Sequence, residues 1–391
     1  MTKKKFWVFF VITQIFLLIN EPYAINRFLS VPNLSVTGIG YLIILCLYVL
    51  SNKGKIKALP TKINHIFVIT IIAWLLYGIF FDDTSYFTRI VLLCITYLFL
   101  LFLYSTECFG KFWKNNNRFI LLQAFLSAIG FILVGLGILS PLLISESTGD
   151  VFQPMYFWGF CCSKTLIGNL IRPSGYFDEP GALASWAVFT IVFNYAFIKD
   201  RFIDKYLPYL TIVTLSIAYY IQMVVYLILR FNKRIYKFIP LAILLFFALN
   251  YISSTKNTDF DIYSKTIARL EYDEDKGIAG NSREDHMKNA QRLFESSPWF
   301  GVGGQNYGNS QEVVSDNPYE ILAKDGIVGF IITYLPLFII FFVNCRKEIL
   351  ICLVVISIGY LQRPFHINFM HDFYLWSFLL FSIIDKEKMN K

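Results

Sequence analysis

Charge is what this 391-residue chain has least of: Asp, Glu, Lys and Arg make up 16%, where soluble globular chains carry about 25%. Histidine is scarcer still. The four (His65, His286, His366, His371) show no metal-ligand spacing, which argues against a metal centre. Five of the seven cysteines lie in or beside apolar runs (Cys46, Cys94, Cys108, Cys345, Cys352), and the others, Cys161 and Cys162, are adjacent. Neither arrangement suits a disulfide framework or a zinc site. The stretch holding Gly301, Gly303, Gly304 and Gly308 lacks the Lys-Ser/Thr ending of a phosphate-cradling loop and follows no strand, so it reads as a turn. There is no internal repeat and no low-complexity tract.

Apolar residues are what the chain has instead, 56% hydrophobic and 18% aromatic. They fall in runs of about 15–25 residues, the length that crosses a bilayer core as a helix. Helices are predicted at about 6–20, 36–50, 63–81, 87–105, 119–145, 182–198, 239–252, 319–343, 349–362 and 373–384. The first follows Lys3, Lys4 and Lys5, and Glu21, Pro22 and Tyr23 stand where a cleavage site would be; it reads as a retained signal anchor. The net charge of +8 sits in short connectors: Lys53, Lys55, Lys57 and Lys62; Lys111, Lys114 and Arg118; Arg230, Lys233, Arg234 and Lys237; Arg346 and Lys347. That is the positive-inside pattern, so the charge reports topology and not nucleic-acid binding. Residues 206–229 have positive charge at both ends, Lys205 and Arg230. A single crossing would put one basic connector outside; two short helices meeting near Ser216, the preferred reading, keep both ends inside, each about 18 Å long. The expected fold is all-α: a polytopic membrane protein with about 11–12 transmembrane helices, including the short hairpin. Its parts are membrane helices over 1–145, an outer loop over 146–181, central helices over 182–252, a large outer segment over 253–317 and closing helices over 318–391.

The two outer segments hold the polar chemistry. "RPSGYFDEPGALASW" places Arg172, Asp178 and Glu179 at the mouth of an apolar helix. In the second segment, "SREDHMKNAQRLFESSPWF" predicts an amphipathic helix, with Ser282 as N-cap and Asp285 three residues on. Met287, Ala290 and Phe294 recur at helical spacing, and Arg283 shares their stripe one turn earlier. Asp316 stands at the mouth of the next helix. "FHINFMHD" holds His366, His371 and Asp372 in a short outer loop and reads mainly as interfacial polar residues. An acid at the surface can act as a base toward a hydroxyl, and the planar forks of Arg172, Arg283 and Arg292 suit phosphate or pyrophosphate. Helix-mouth acids also favour helix N-termini, and loop arginines are mostly solvated, so both readings stand at this level.

The segment "RPSGYFDEPGALASWAVF" resembles the Arg-x-x-Gly-x-Phe-x-Glu-Pro segment of Wzy-type O-antigen and capsular polysaccharide polymerases. The later stretch "SREDHMKNAQRLFESSPWFGVGGQNYG…SDNPYEILAKDGIVGFI" is similar to a second segment of that superfamily, the O-antigen polymerases and ligases. There an Arg opens a loop helix, a Pro-x-Phe-Gly-x-Gly turn follows, and an Asn-x-Tyr stretch runs into a helix with Gly-x-x-Gly. The likeness covers roughly residues 170–340. It implies a GT-C-like glycosyltransferase in the bacterial cytoplasmic (inner) membrane that needs no metal or other cofactor. The reaction implied is transfer of a growing glycan from undecaprenyl pyrophosphate to another lipid-linked repeat unit, on the extracytoplasmic face. Arg172 then faces the carrier's pyrophosphate. Arg283, Arg292, Asn317, Tyr319, His286 and His371 are the further substrate-binding candidates, and Glu179 and Asp316 the catalytic ones. Implied partners are the lipid-linked donor and acceptor and membrane lipid, with a chain-length regulator and a flippase in the same system. Two departures stand out: Asp316-Asn317 replaces the His-Asn or His-Ser of many ligases, and Ser216-Ile217 replaces a Ser-Arg pair. The alternatives are a ligase acting on another acceptor and, in a different class, a lipid-linked oligosaccharide flippase.

The topology makes a prediction. Cysteine placed at Asp150 and at Lys276, in a background without native cysteine, is labelled in both positions by an impermeant reagent added outside. Labelling of only one site removes the hairpin and the shared face.

Overall fold

The computed structural model describes residues 57–105, 107, 109–146, 152–156, 161–167, 170–177, 179–231, 272–273, 277–278, 284–310, 317–362 and 369–389. The expected helices at 6–20, 36–50 and 239–252 lie outside these residues.

The chain builds a helical membrane bundle. Five helices or helix pairs among the described residues are long and apolar enough to cross a membrane: 61–81, 85–105, 109–135, 180–198 and 320–343. Helix α1 (Thr61–Phe81) and α2 (Ser85–Ser105) form an antiparallel pair. On α1 the residues Ile63, Phe67, Thr70, Trp74 and Tyr77 face inward at helical spacing, while Val68, Ile69, Ile72, Leu76 and Ile79 face outward. An apolar outer face suits a hydrocarbon solvent, in which no polar surface is needed.

Helix α3 (Phe109–Gly135) begins about ten residues before the predicted start at 119. Lys111, Lys114 and Arg118 lie on its exposed side, while Phe112, Trp113, Asn116 and Asn117 are buried. The basic residues that read as a connector are thus one face of a helix. It also ends early, at Gly137 with φ 71°, a left-handed position that suits glycine.

Beyond it stands a four-stranded antiparallel meander, β1 (Leu143–Glu146), β2 (Phe152–Tyr156), β3 (Cys161–Ile167) and β4 (Leu170–Gly175). Leu143 pairs with Met155, Met155 with Cys162 and Leu166 with Ile171. The expectation here was a loop. Farther along the chain, β5 (Tyr272–Asp273) and β6 (Gly277–Ile278) make a two-residue antiparallel pair.

Helix α4 (Pro180–Phe193) is the hub. Twelve of its residues are buried, from Pro180 to Phe193, and α3, α5, α6 and α11 surround it. A helix apolar all round belongs inside a bundle. A π-turn, Asn194–Ile198, closes it.

Then come α5 (Arg201–Leu210), a 3-10 turn (Thr211–Thr214) and α6 (Ile217–Phe231). These are the two arms of the expected hairpin. At its base Arg230 donates to both carboxylate oxygens of Asp204, at 2.7 Å for the Nη2 bond. Near its tip the Tyr219 hydroxyl donates to the Pro208 carbonyl. Both contacts are possible only if the arms run antiparallel.

The rest is α7 (Glu284–Ser296), α8 (Gly304–Ser310), α9 (Glu320–Thr333), α10 (Leu335–Val343), α11 (Lys347–Gln362) and α12 (Phe369–Met389). Helix α9 is broken at Gly326 (φ 66°, ψ −171°). The Pro-Trp-Phe-Gly-Val-Gly segment runs along the break and stitches it. Val302 and Gly303 donate to the carbonyls of Ala323 and Lys324, both at 2.9 Å, and Ile327 and Val328 donate to those of Pro298 and Trp299 at 2.9 and 3.1 Å. Backbone groups freed inside a membrane protein must find such partners. The approach is so close that a Cβ at Gly301 (φ 75°) would overlap the Lys324 carbonyl, and one at Gly326 would overlap that of Trp299.

A positive φ alone costs an L residue about 1–2 kcal/mol, and the overlap adds to it. Gly301→Ala and Gly326→Ala therefore each destabilise the detergent-purified protein by at least about 2 kcal/mol. Gly308→Ala, with open space at its Cβ position, is the near-neutral control. Equal melting temperatures for all three would contradict the stitched break.

Candidate functional site

Both halves of the candidate site stand at one end of the bundle. The turn between α1 and α2 marks that end. Asp83 there accepts from Ser85 N at 2.8 Å and from Gln305 N at 3.0 Å, so one carboxylate starts α2 and seats the Gly-rich turn.

The first half is the mouth of α4. Arg172, on β4, donates from Nε to the Thr214 carbonyl and from Nη2 to that of Leu215, both at 3.2 Å. These carbonyls crown the hairpin tip, where Leu215 is left-handed at φ 50°. Arg172 thus joins the sheet to the hairpin. Glu179 takes the N-cap position of α4 with extended backbone (φ −148°, ψ 158°), and its carboxylate makes no capping hydrogen bond. It is partly exposed. Phe177 stacks toward Trp186 with ring centroids 6.4 Å apart. Below the mouth, His371 of α12 is buried against Trp186 at 4.6 Å and Phe189 at 5.4 Å. The helix carrying Glu179 therefore also seats His371, through Trp186 about two turns along.

The second half is the start of α9. Asn317 is buried; its Nδ2 donates to the Tyr307 hydroxyl at 3.1 Å and its Oδ1 accepts from Tyr319 N at 3.0 Å. It fastens α8 to the first turn of α9. Tyr319 packs on Phe294, with rings 6.3 Å apart. Ala290, Leu293 and Phe294 of α7 pack with Tyr307, Tyr319 and Ala323, so the predicted stripe is the face that docks. Arg292 is exposed and donates to Asn289. His286 has its backbone in the first turn of α7. Asp178, Ser282, Arg283, Asp316 and His366 lie outside the described residues.

Between the halves sits a buried charge cluster that the sequence reading missed. Arg89 Nη1 lies 2.8 Å from Asp325 Oδ2, with side chains only 7% and 1% exposed. Tyr86 donates to the other carboxylate oxygen at 2.8 Å, and the Tyr77 hydroxyl donates to the Asp325 carbonyl, also at 2.8 Å. The guanidinium lies over the Trp74 ring at 4.3 Å, a favourable seat for a desolvated cation. Arg89 is also within electrostatic range of Asp372 and Tyr334. Immediately before Asp325, Lys324 pairs with buried Glu320, one turn earlier, at 2.6 Å and stands 4.9 Å from the Tyr307 ring. The signal was a lone arginine near the start of the apolar run beginning at 87; an ionisable residue inside a membrane helix marks function by default.

The fold thus defines a multi-pass membrane protein with acids, cations and aromatics gathered at one end, around a stitched helix break. Residues 206–334, about a third of the chain, are similar to the O-antigen ligase family model. No curated protein and no solved structure matches the chain. The matched region holds the hairpin tip, the amphipathic helix, the stitch and Asp325; Arg172, Glu179 and Arg89 precede it.

Asn317→Ala removes the side-chain turn that leads into α9 and the partner of Tyr307. It should lower stability by about 1–2 kcal/mol, read as a drop in melting temperature. Tyr307→Phe, which leaves the Asn317–Tyr319 bond in place, should lose less. The reverse order would mean that Asn317 is not the fastener.

Proposed function

We propose that the protein is a polysaccharide polymerase: a membrane glycosyltransferase that joins lipid-pyrophosphate-linked repeat units of O-antigen or capsular type. The observation that carries this reading is the family match over 206–334, falling on the segment that builds the charged end of the bundle. Supporting it, two motif-bearing helix mouths, at Glu179 and Asn317, stand at that same end.

In the reaction, a hydroxyl of the acceptor sugar attacks the anomeric carbon of the donor. The carbon–oxygen bond to the pyrophosphate breaks as the new glycosidic bond forms. The hydroxyl's proton goes to a carboxylate, and the electron pair leaves with the lipid pyrophosphate. Cations near the departing group stabilise the charge it gains, a role assigned to Arg172 and Arg283. Glu179 is the favoured proton acceptor. It sits at the α4 mouth, partly exposed and not used as a helix cap, and Asp316 is the alternative. Asn317 and Tyr319 hold the acceptor-side helix in place, with His371 beneath Glu179. The site is assigned to the outer face of the bacterial cytoplasmic membrane, where lipid-linked units are joined. Transfer of the glycan to a different acceptor is the second reading, favoured by the ligase description of the matched family.

Purified protein incubated with one synthetic lipid-linked repeat unit should give a ladder of products; a single transfer to an added acceptor, with no ladder, selects the ligase reading. Loss of a general base costs about 10²–10⁴-fold. Glu179→Gln should therefore slow the initial rate at least about a hundredfold, with donor binding retained and a flatter pH profile. Asp316→Asn should lose less. A near-normal Glu179→Gln beside a dead Asp316→Asn reverses the assignment.

A further inference from the structure

We propose that Arg89 is a positioning residue for the transfer site: through Asp325 it fixes the break in α9 and so sets where the first half of α9, with Asn317 and Tyr319 at its mouth, stands. This rests on the transfer reading above. Asp325 is the last residue before the break at Gly326, and α1 and α2 hold it at three atoms. Arg89 and Tyr86 take one carboxylate oxygen each and Tyr77 takes the carbonyl. On one side of this grip, the Lys324 carbonyl is already stitched to Gly303; on the other, Ile327 and Val328 are stitched to Pro298 and Trp299. The stitching segment in turn rests on the same helix pair, since Asp83 accepts from Gln305. A shift of Asp325 therefore moves Lys324 and its partner Glu320 directly, and with them the α9 mouth at Asn317 and Tyr319.

Stability does not explain the pair. A buried ion pair can often be replaced by neutral residues of similar volume with little loss, whereas removing one partner is strongly destabilising. A long guanidinium near the end of a membrane helix, gripping the residue at a helix break, is better matched to fixing geometry. Misplacing reacting groups by about 1 Å can cost about 10²-fold in rate, so small changes at Asp325 are sufficient.

The test compares wild type, Arg89→Met, Arg89→Lys and the neutral pair Arg89→Met with Asp325→Asn. Three quantities are read: melting temperature, hydrogen–deuterium exchange, and transfer rate at saturating donor. Arg89→Met alone should melt lowest, and the neutral pair should recover most of that loss. In the neutral pair the segments 298–303 and 323–328 should nonetheless exchange about tenfold faster, with α4 unchanged. Its transfer rate should stay about 10- to 100-fold down, with the apparent KM little altered. Arg89→Lys should fall between, and it supplies the comparison if the neutral pair does not accumulate. Unchanged exchange at the two segments overturns the proposal. So does a wild-type transfer rate in the neutral pair, which would make the pair a matter of stability alone. If the wild type itself forms no product, the transfer reading fails, and the exchange data still decide whether Arg89 fixes the break.

Discussion

A broken helix inside a membrane protein leaves backbone donors and acceptors with no water to satisfy them, and this structure is arranged around meeting that demand at Gly326. Each group unmatched in lipid costs several kcal/mol. Four backbone bonds from residues 298–303 close the gap, and they can do so only because Gly301 and Gly326 carry no Cβ. The need for the stitch explains why an amphipathic helix, a Gly-rich turn and a re-entering helix follow one another without long connectors. It also explains why the α1–α2 turn is committed to Gln305: the stitching strand itself must be seated. The polar cluster at this end is thereby attached to a rigid frame.

The membrane helices among the described residues were legible because hydrophobic runs of membrane length have little other meaning, and the hairpin because basic residues flank 206–229 on both sides. Ala290 and Phe294 were legible by their spacing. Three features were not. The meander over 143–175 is short and irregular in pairing, with register shifts between Cys162 and Leu166, so no alternation announced it. The early start of α3 was hidden because Lys111, Lys114 and Arg118 satisfied a topology argument that leaves helical structure open. Arg89 was passed over because a single charge barely changes the hydropathy of its run; its meaning depends on Asp325, far along the chain, and only the folded structure supplies that partner.

The placement of the motif residues refines their parts. Arg172 is tied to the hairpin tip, so whatever it contributes to an anion is coupled to the geometry of residues 211–216. Asn317 fastens two helices and so belongs to the frame more than to the contact surface. Glu179 and His371 share one helix as their support, which links the α4 mouth to α12 through Trp186. The candidate site is therefore a meeting of two separately braced halves, one on α4 and one on α9.

The pairing of Arg89 with the end of the first half of α9 also bears on how the chain is made. Tyr86 and Asp325 are 239 residues apart, so at about 5–20 residues per second the α1–α2 pair waits roughly 12–48 s for its acid. During that interval the guanidinium sits in a newly inserted hairpin with Trp74 and Tyr86 as its company. An unmatched arginine at a helix centre costs about 2.5–3.5 kcal/mol on insertion scales. Arg89 is placed within the first turn or so of α2 and beside two aromatic faces, which allows the hairpin to enter the bilayer first and accept its counter-charge when the last third of the protein arrives.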